Sequence, residues 1–354
     1  MINLLMDLVK IKSDTIEGAN EALHFCKEWL EERGVTPIIY ELDSKLMLVA
    51  EIGEGEESIV WNGHIDVVPG HIEQFNPYIL EDKLFGRGTA DMKAGVAAMM
   101  EAFSILVKNP EQLTRKVQLH IATDEEKGGK TSKHIVEQGH YGDFVICGEP
   151  TNLNIGLQAK GILQWDFLVK GKSAHGSRPW EGDNAIEKAI ALDQELRKCT
   201  FMEASNAYYD YPSLNLAKIQ AGERYNMVPD ECVISYSLRF VPGQDIEAIT
   251  QELRDLIGKY PESELILRGR SPAITNEENN KFIQRLLAVS TNLRNTPTVL
   301  FGQHGAADTR YYAAKGAGAI EYGPVGGDWH GDKEWVSLSS VETYKNILVS
   351  FALE

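Results

Sequence analysis

With 354 residues, 43% of them hydrophobic and 25% charged, the chain is long enough for about two domains and has an ordinary globular composition. Its formal net charge of −17 argues against a nucleic-acid or anionic-membrane surface, where clustered lysine and arginine are expected. The four cysteines, Cys26, Cys147, Cys199 and Cys232, are scattered with no CxxC pair, which fits free thiols in a reducing compartment better than a disulfide framework.

At the N-terminus Leu4, Leu5, Leu8 and Val9 share a helical face, interrupted by Asp7. No basic n-region or small-residue cleavage site accompanies it, so it does not read as a signal peptide. No apolar run is long enough to span a bilayer, and the cytoplasm is the expected location. Helical periodicity through Ala22, Leu23, Cys26, Trp29 and Leu30 predicts a helix over 19–33, closed by Gly34. Strands are predicted at 36–42 and 46–52, and a third apolar run, Ile59-Val60-Trp61, leads into His64 and Asp66. Residues 70–83 read as a polar loop. Two glycines, Gly86 and Gly88, then frame a turn that carries Asp91 and opens into a helix from Val96 to Val107.

The strand Val117–Ala122 ends in Asp124-Glu125-Glu126, and Phe144–Cys147 ends in Gly148-Glu149. A strand, then an acidic or histidine residue at its carboxyl end, then a helix is the pattern of an open α/β sheet that binds ligands at that edge. From about residue 155 the texture changes. Strands at 155–170 and 233–241 alternate with helices at 184–197 and 245–258, which predicts a small inserted α/β domain. After Ser271-Pro272 a helix at 277–290, strands near 298–301 and 319–322 and a terminal helix at 339–352 return the chain to the first domain. The expected division is 1–157 with 272–354, and 158–271 as the insert.

Singly, each candidate residue is weak: a histidine at a strand end is more often structural, and a Glu-Glu pair is usually a solvated surface. Jointly, four successive strand ends carry His64, Asp91, Glu125/Glu126 and Glu149, where carboxylates repel one another unless a cation neutralises them. One or two divalent ions are the economical explanation.

The motifs His64-x-Asp66-Val67-Val68-Pro69, Gly86-Arg87-Gly88-x-x-Asp91-Met92-Lys93, Asp124-Glu125-Glu126 and Gly148-Glu149-Pro150-Thr151 recur in a known order. So do Ser173-Ala174-His175-Gly176, Asn226-x-Val228-Pro229, Gly305-x-x-Asp308 and His330-x-x-x-Glu334-x-Val336. In these the chain resembles the M20-type metallopeptidase and deacylase family, which includes acetylornithine deacetylase, succinyl-diaminopimelate desuccinylase, aminoacylase and the glutamate carboxypeptidases. The resemblance covers nearly the whole chain. It implies an α/β fold: a larger zinc-hydrolase domain with a mixed sheet flanked by helices, and a smaller ferredoxin-like insert that acts as lid and dimerisation domain.

The resemblance further implies a dinuclear zinc centre, with cobalt or manganese able to substitute. Asp91 would bridge the ions, His64 and Glu149 completing one and Glu126 and His330 the other. Asp66 would receive the proton of the second His64 ring nitrogen, and a cis peptide would follow Asp91. Glu125 would be the general acid/base; which of the Glu pair is base and which is ligand comes from the family, because the sequence does not order them. His175 would reach across a homodimer interface to stabilise the oxyanion together with Asn226. Arg239 would take a substrate carboxylate, its rival reading being a paired strand arginine, and Gly305 would line the substrate site. The substrate is expected to be an N-acyl amino acid or short peptide, with acetylornithine deacetylase as the leading type and desuccinylase or small-peptide activity as the alternative.

Departures from the family pattern bear on substrate. Phe75 and Pro77-Tyr78 stand where a Trp and then Pro-Phe are usual, and Gly305-Ala306-Ala307-Asp308 lacks two hydroxyls of the usual Gly-Thr-Ser-Asp. Gly326 falls where the desuccinylase has an Asn, and Gly-Asp-Lys-Glu follows His330. Lost polar partners weigh against succinyl-diaminopimelate, since a site built for a polar group discriminates strongly. Two readings from other classes are weaker. A catalytically silent binding protein should have lost some of these residues, and a two-metal phosphoesterase should carry basic residues beside the metal motifs. His24, His71, His120, His134 and His140 match no motif and read as structural or surface residues; for His304 the same reading is favoured over a place at the site rim.

Overall fold

The period-two pattern around His64 sorts its strand into two faces, and both are covered. In the computed structural model, which describes every residue except Ala306, the elements begin with α1 (Ile2–Lys10), α2 (Ile16–Glu31), β1 (Ile38–Leu42), β2 (Lys45–Ile52) and β3 (Ser58–His64). Then come β4 (Tyr78–Leu80), β5 (Lys83–Phe85), α3 (Ala94–Leu106), β6 (Lys116–Ala122), α4 (Lys130–Glu137), β7 (Phe144–Cys147) and β8 (Ile155–Ala159). They continue as β9 (Gly161–Lys170), α5 (Ala185–Leu196), β10 (Ser213–Ala221), β11 (Glu231–Phe240), α6 (Ile246–Ile257) and β12 (Glu264–Ser271). The last are α7 (Lys281–Arg294), β13 (Leu300–Gln303), α8 (Thr309–Ala313), β14 (Gly318–Glu321), β15 (Gly326–Gly327), β16 (Trp335–Ser337) and α9 (Leu338–Leu353).

The chain forms two compact units, Met1–Leu157 with Asn276–Phe301 and Ala307–Glu354, and Gln158–Thr275 with Gly302–Ala306. Among the described residues, eight strands form a mixed sheet in the order β1-β2-β6-β3-β7-β14-β8-β13. Its centre, β6, β3, β7 and β14, is parallel, so these strands deliver their carboxyl ends to one edge. On β3, Trp61 meets Phe103 of α3 edge-to-face, with ring centroids 6.3 Å apart. The alternate residue Val60 packs with Val136, Val145 and Tyr312 on the side of α4 and α8. His64 shares the parity of Val60, so it emerges on the α4/α8 side, with Ala122 of β6 as its register partner.

A helix packs close to the end of β7 only because Gly95 has no side chain. A Cβ there would stand 2.3 Å from the carbonyl oxygen of Gly148, directly before Glu149. Thr15 caps α2 by accepting the N–H of Gly18 through its hydroxyl. The segment 70–83, expected as a loop, contains a helical turn at Ile72–Phe75 and the short strand β4. β4 is the edge of a small sheet ordered β15-β16-β5-β4, and its three residues are exposed, so burial leaves no pattern in the sequence.

The second unit reads βαββαβ through β9, α5, β10, β11, α6 and β12, and its sheet is ordered β10-β11-β9-β12. That is the ferredoxin-like arrangement. Its core gathers Trp165, Phe167, Tyr236, Leu192 and Leu253, with Trp165 stacked on Tyr236 at 5.3 Å. Strands β10 and β12 were not expected. β10 lies at the sheet edge almost wholly exposed, and register shifts at Leu216/Lys218 and Leu267/Gly269 break the alternation in both strands.

Gly95→Ala should therefore destabilise the first unit by about 1–3 kcal/mol through overpacking. Thermal denaturation would read it, and an unchanged Tm would show that α3 and β7 can part at no cost.

Candidate metal centre

The edge where β3, β6 and β7 end carries most of the candidate residues. His64, the last residue of β3, is buried; its Nδ1 lies 3.0 Å from the backbone carbonyl of Asp66 and 3.4 Å from the Asp66 carboxylate. An Nδ1–H donated to that carbonyl leaves the Nε2 lone pair facing forward. Nε2 stands 3.1 Å from Asp91 Oδ1 and 3.9 Å from Glu149 Oε1. The other Asp91 oxygen, Oδ2, is 3.2 Å from Nε2 of His330, which also lies 3.1 Å from Glu126 Oε1.

Two groups result, His64 with Asp91 and Glu149, and Asp91 with Glu126 and His330. Ligands about 2.1 Å from a tetrahedral ion stand about 3.4 Å from each other, and the separations above bracket that value. One residue, Asp91, belongs to both groups and offers a different oxygen to each. The donor set, imidazole nitrogen with carboxylate oxygen, suits zinc and similar divalent ions.

The electrostatics call for positive charge. Burial, and Asp91 beside it, push Glu149 well above the usual carboxylate range, and burial with Asp308 pushes Glu125 up to about 8. Hydrogen bonding to Asp91 raises His330 to about 9; Asp66 and Asp91 raise His64 well above its ordinary value despite its burial. Asp91, although buried, is held low by His330 and His64. Both histidines and the buried carboxylates are thus shifted in the direction that favours added positive charge around Asp91.

Positioning comes from the main chain. The peptide bond between Asp91 and Met92 is cis. The Glu334 carboxylate, itself buried, accepts the N–H groups of Gly88, Ala90 and Asp91 at 2.9, 2.9 and 3.1 Å and the Arg87 guanidinium at 2.8 Å. Neither Glu334 nor Arg87 had an assigned role in the sequence, although both sit inside the quoted motifs. The signal available was their type: a glutamate and an arginine in opposite glycine-rich and metal-ligand motifs form a natural buried pair. Asp66 also does more than face His64, because its two carboxylate oxygens accept the N–H groups of Glu125 and Glu126, each at 3.1 Å. Asp124 accepts from Lys130 and Thr131 at the start of α4 and from Lys45.

The structure therefore brings His64, Asp66, Asp91, Glu125, Glu126, Glu149 and His330 together in the first unit. His175, Asn226, Arg239 and Gly305 lie in the second. There His175 is exposed, and its segment pairs with that of Asn226: the Gly176 N–H donates to the Asn226 carbonyl at 2.7 Å, and the Val228 N–H to Ala174 at 2.9 Å. The Ser177 N–H donates to His175 Nδ1 at 3.1 Å, which puts the neutral ring's proton on Nε2. Arg239 sits on β11 opposite Ser213 and Ile162, and Gly305 is exposed. His304 rests edge-on against Tyr209 at 5.5 Å, and His120 is buried against Tyr312 and Gln118. The replacement of a hydroxyl by Ala306 falls outside the described residues. Among those residues the four cysteines are buried and unpaired with one another, and no helix is long and apolar enough to cross a membrane.

Residues 60–354 match the model of peptidase family M20/M25/M40. A probable succinyl-diaminopimelate desuccinylase of Staphylococcus epidermidis is 26% identical over 99% of this chain and 97% of its own. An acetylornithine deacetylase of Aliivibrio salmonicida is 31% identical over 68% of this chain and 66% of its own. The crystal structure of aminopeptidase PepT from Bacillus cereus superposes with a TM-score of 0.84 at 18% identity, covering 99% of this chain and 97% of that one. At that identity the likeness speaks to fold.

Glu334→Ala should destabilise the protein by about 3–5 kcal/mol, because Arg87 would be left as a buried charge without its partner. Urea unfolding gives the loss, and metal titration should show weakened binding through the displaced Asp91. A variant with unaltered stability and metal affinity would refute the anchoring role.

Proposed function

The chain belongs to peptidase family M20/M25/M40, a family of metal-dependent hydrolases of amide and peptide bonds, and from that premise we propose a dinuclear-zinc amidohydrolase that deacylates an N-acyl amino acid. The observation that carries this is Asp91 shared between two ligand groups, one oxygen toward each. His64, Glu149 and Asp91 would hold one ion, and Asp91, Glu126 and His330 the other, with cobalt or manganese as substitutes. When bound, the pair supplies Lewis-acid polarisation of the scissile carbonyl and a lowered pKa for the attacking water.

The protein's own groups do the rest. Glu125 takes the proton of the water as its oxygen bonds to the carbonyl carbon, then gives that proton to the leaving nitrogen as the C–N bond breaks. Asp66 fixes both ends of this arrangement, orienting His64 and holding the main chain of Glu125 and Glu126. His175, with its proton on Nε2, and Asn226 donate to the developing oxyanion, Arg239 takes the substrate carboxylate, and Gly305 lines the substrate site.

The inserted ferredoxin-like domain is the lid and dimerisation domain, bounded at residues 158–271, and His175 serves the partner's site. In support, β10 presents a nine-residue edge on which Leu216 and Ile219 are 39% and 53% exposed, a surface suited to pairing with a second copy. The second reading, hydrolysis of succinyl-diaminopimelate or of short peptides, is favoured by the names of the desuccinylase and aminopeptidase relatives.

A hydrolysis panel of N-acetyl, N-succinyl and dipeptide substrates, run with zinc and with cobalt, is expected to show preferential deacetylation. Preference for a succinyl or peptide substrate would favour the second reading, and zinc binding without hydrolysis would overturn both. Glu125→Gln should keep two ions per chain and lose about 10²–10⁴ in kcat. Mixing inactive His175→Ala and Glu125→Gln chains should restore part of the activity through hybrid dimers, and no recovery despite confirmed exchange would place His175 elsewhere.

A further inference from the structure

The turn that carries Glu125 and Glu126 is fastened on a second side, by residues to which no role has been assigned. It continues through Lys127 and Gly128 to Gly129, the residue before α4. The carbonyl oxygen of Gly128 accepts two hydrogen bonds from α8, one from Arg310 Nη2 at 3.1 Å and one from the Tyr311 hydroxyl at 2.6 Å. Arg310 Nη2 also donates to the Tyr311 hydroxyl at 3.2 Å, so the two donors form one unit. Two residues before Arg310, Asp308 accepts the Ser132 hydroxyl from α4. A Cβ on Gly129, whose φ is +62°, would collide with Asp308 Oδ1 at 1.9 Å. Helix α8 is thus seated against both ends of the short segment 128–132.

We propose that Arg310 and Tyr311 are positioning residues for Glu125, acting through the Gly128 carbonyl. The Asp66 carboxylate holds the front of the turn by the N–H groups of residues 125 and 126, and the α8 pair holds its back by the carbonyl of residue 128. With both ends of a four-residue span fixed, the main chain that presents the Glu125 side chain is held in one place. The Arg310 side chain is only 11% exposed, and its guanidinium lies 3.8 Å from Asp308 Oδ1. It is therefore a built-in fastening rather than a surface arginine.

This rests on Glu125 being the general acid/base, so Glu125→Gln is measured in the same assay. If that variant keeps its activity the function reading fails, whatever the α8 variants do. With Glu125 confirmed, Arg310→Met should lower kcat by about 100-fold, the scale of a roughly 1 Å misplacement. KM and metal content should be unchanged. Arg310→Lys should recover part of the loss, and Tyr311→Phe should lower kcat more mildly. The Arg310→Met/Tyr311→Phe double variant should lose less than the product of the two, because both donors act on one carbonyl. Should Arg310→Met fail to fold, Arg310→Lys and Tyr311→Phe carry the same test. Unchanged kcat in Arg310→Met, or in both of those substitutes, would overturn the proposal. A rise in KM at constant kcat would also overturn it, by making Arg310 a substrate ligand, and so would a kcat loss that tracks loss of metal.

Discussion

Four carboxylates, Asp91, Glu125, Glu126 and Glu149, converge at one edge of the large sheet, and their mutual repulsion is the constraint to which the surroundings respond. At about 4 Å and an effective dielectric of about 20, each like-charged pair opposes the arrangement by about 4 kcal/mol. The fold answers in two ways. It places two imidazoles so that each Nε2 faces a pair of carboxylate oxygens, and it fixes the main chain around the acids with carboxylates that are themselves satisfied. Glu334 is held by three N–H groups and a guanidinium, Asp66 by two N–H groups, and Asp124 by the start of α4 and by Lys45. The acids that need an external cation are thus separated from the acids that need none.

The sheet topology makes this possible. Parallel β6, β3 and β7 end side by side, so three chain segments distant in sequence present His64, the Glu125–Glu126 turn and Glu149 at the same height. Asp91 and His330 arrive from outside the sheet, from the turn before α3 and from the segment between β15 and β16. The side chains that fix the reacting groups, Asp66, Asp124 and Glu334, sit in the chain directly beside the ends of β3, β6 and β16.

Much of the first unit was legible because its central strands β3, β6 and β7 are buried on both sides and run out into an abrupt polar segment. Phe144–Cys147 and the approach to His64 read directly from that contrast. Of the candidate ligands, His64, the Glu125/Glu126 pair and Glu149 were legible at strand ends; Asp91 sits in the turn before α3 and not at a strand end, and His330 and the division into two groups came from family resemblance. What stayed hidden has a common cause. β4 and β10 are exposed edges, so no hydrophobic alternation marks them. The contacts of Asp66 with the N–H groups of Glu125 and Glu126, and of the Arg310–Tyr311 pair with the Gly128 carbonyl, are made to backbone groups, which every residue has and which leave no trace in side-chain type. A helix as short as α8 likewise carries too few residues for a period to show.

The Arg87–Glu334 pair joins residues 247 apart in sequence. Chains are synthesised from the amino end, and domains fold largely as units as they emerge. The turn bearing Asp91 leaves the ribosome before the inserted unit, whereas the carboxylate that gathers its three N–H groups leaves only after the whole of that unit has been made. Until then that turn has no carboxylate to organise it, and the second group of ligands lacks His330. A partly synthesised chain consequently holds an unfinished cage. The capacity to bind ions, and with it the capacity to cleave amides, is acquired only after the inserted unit has been made.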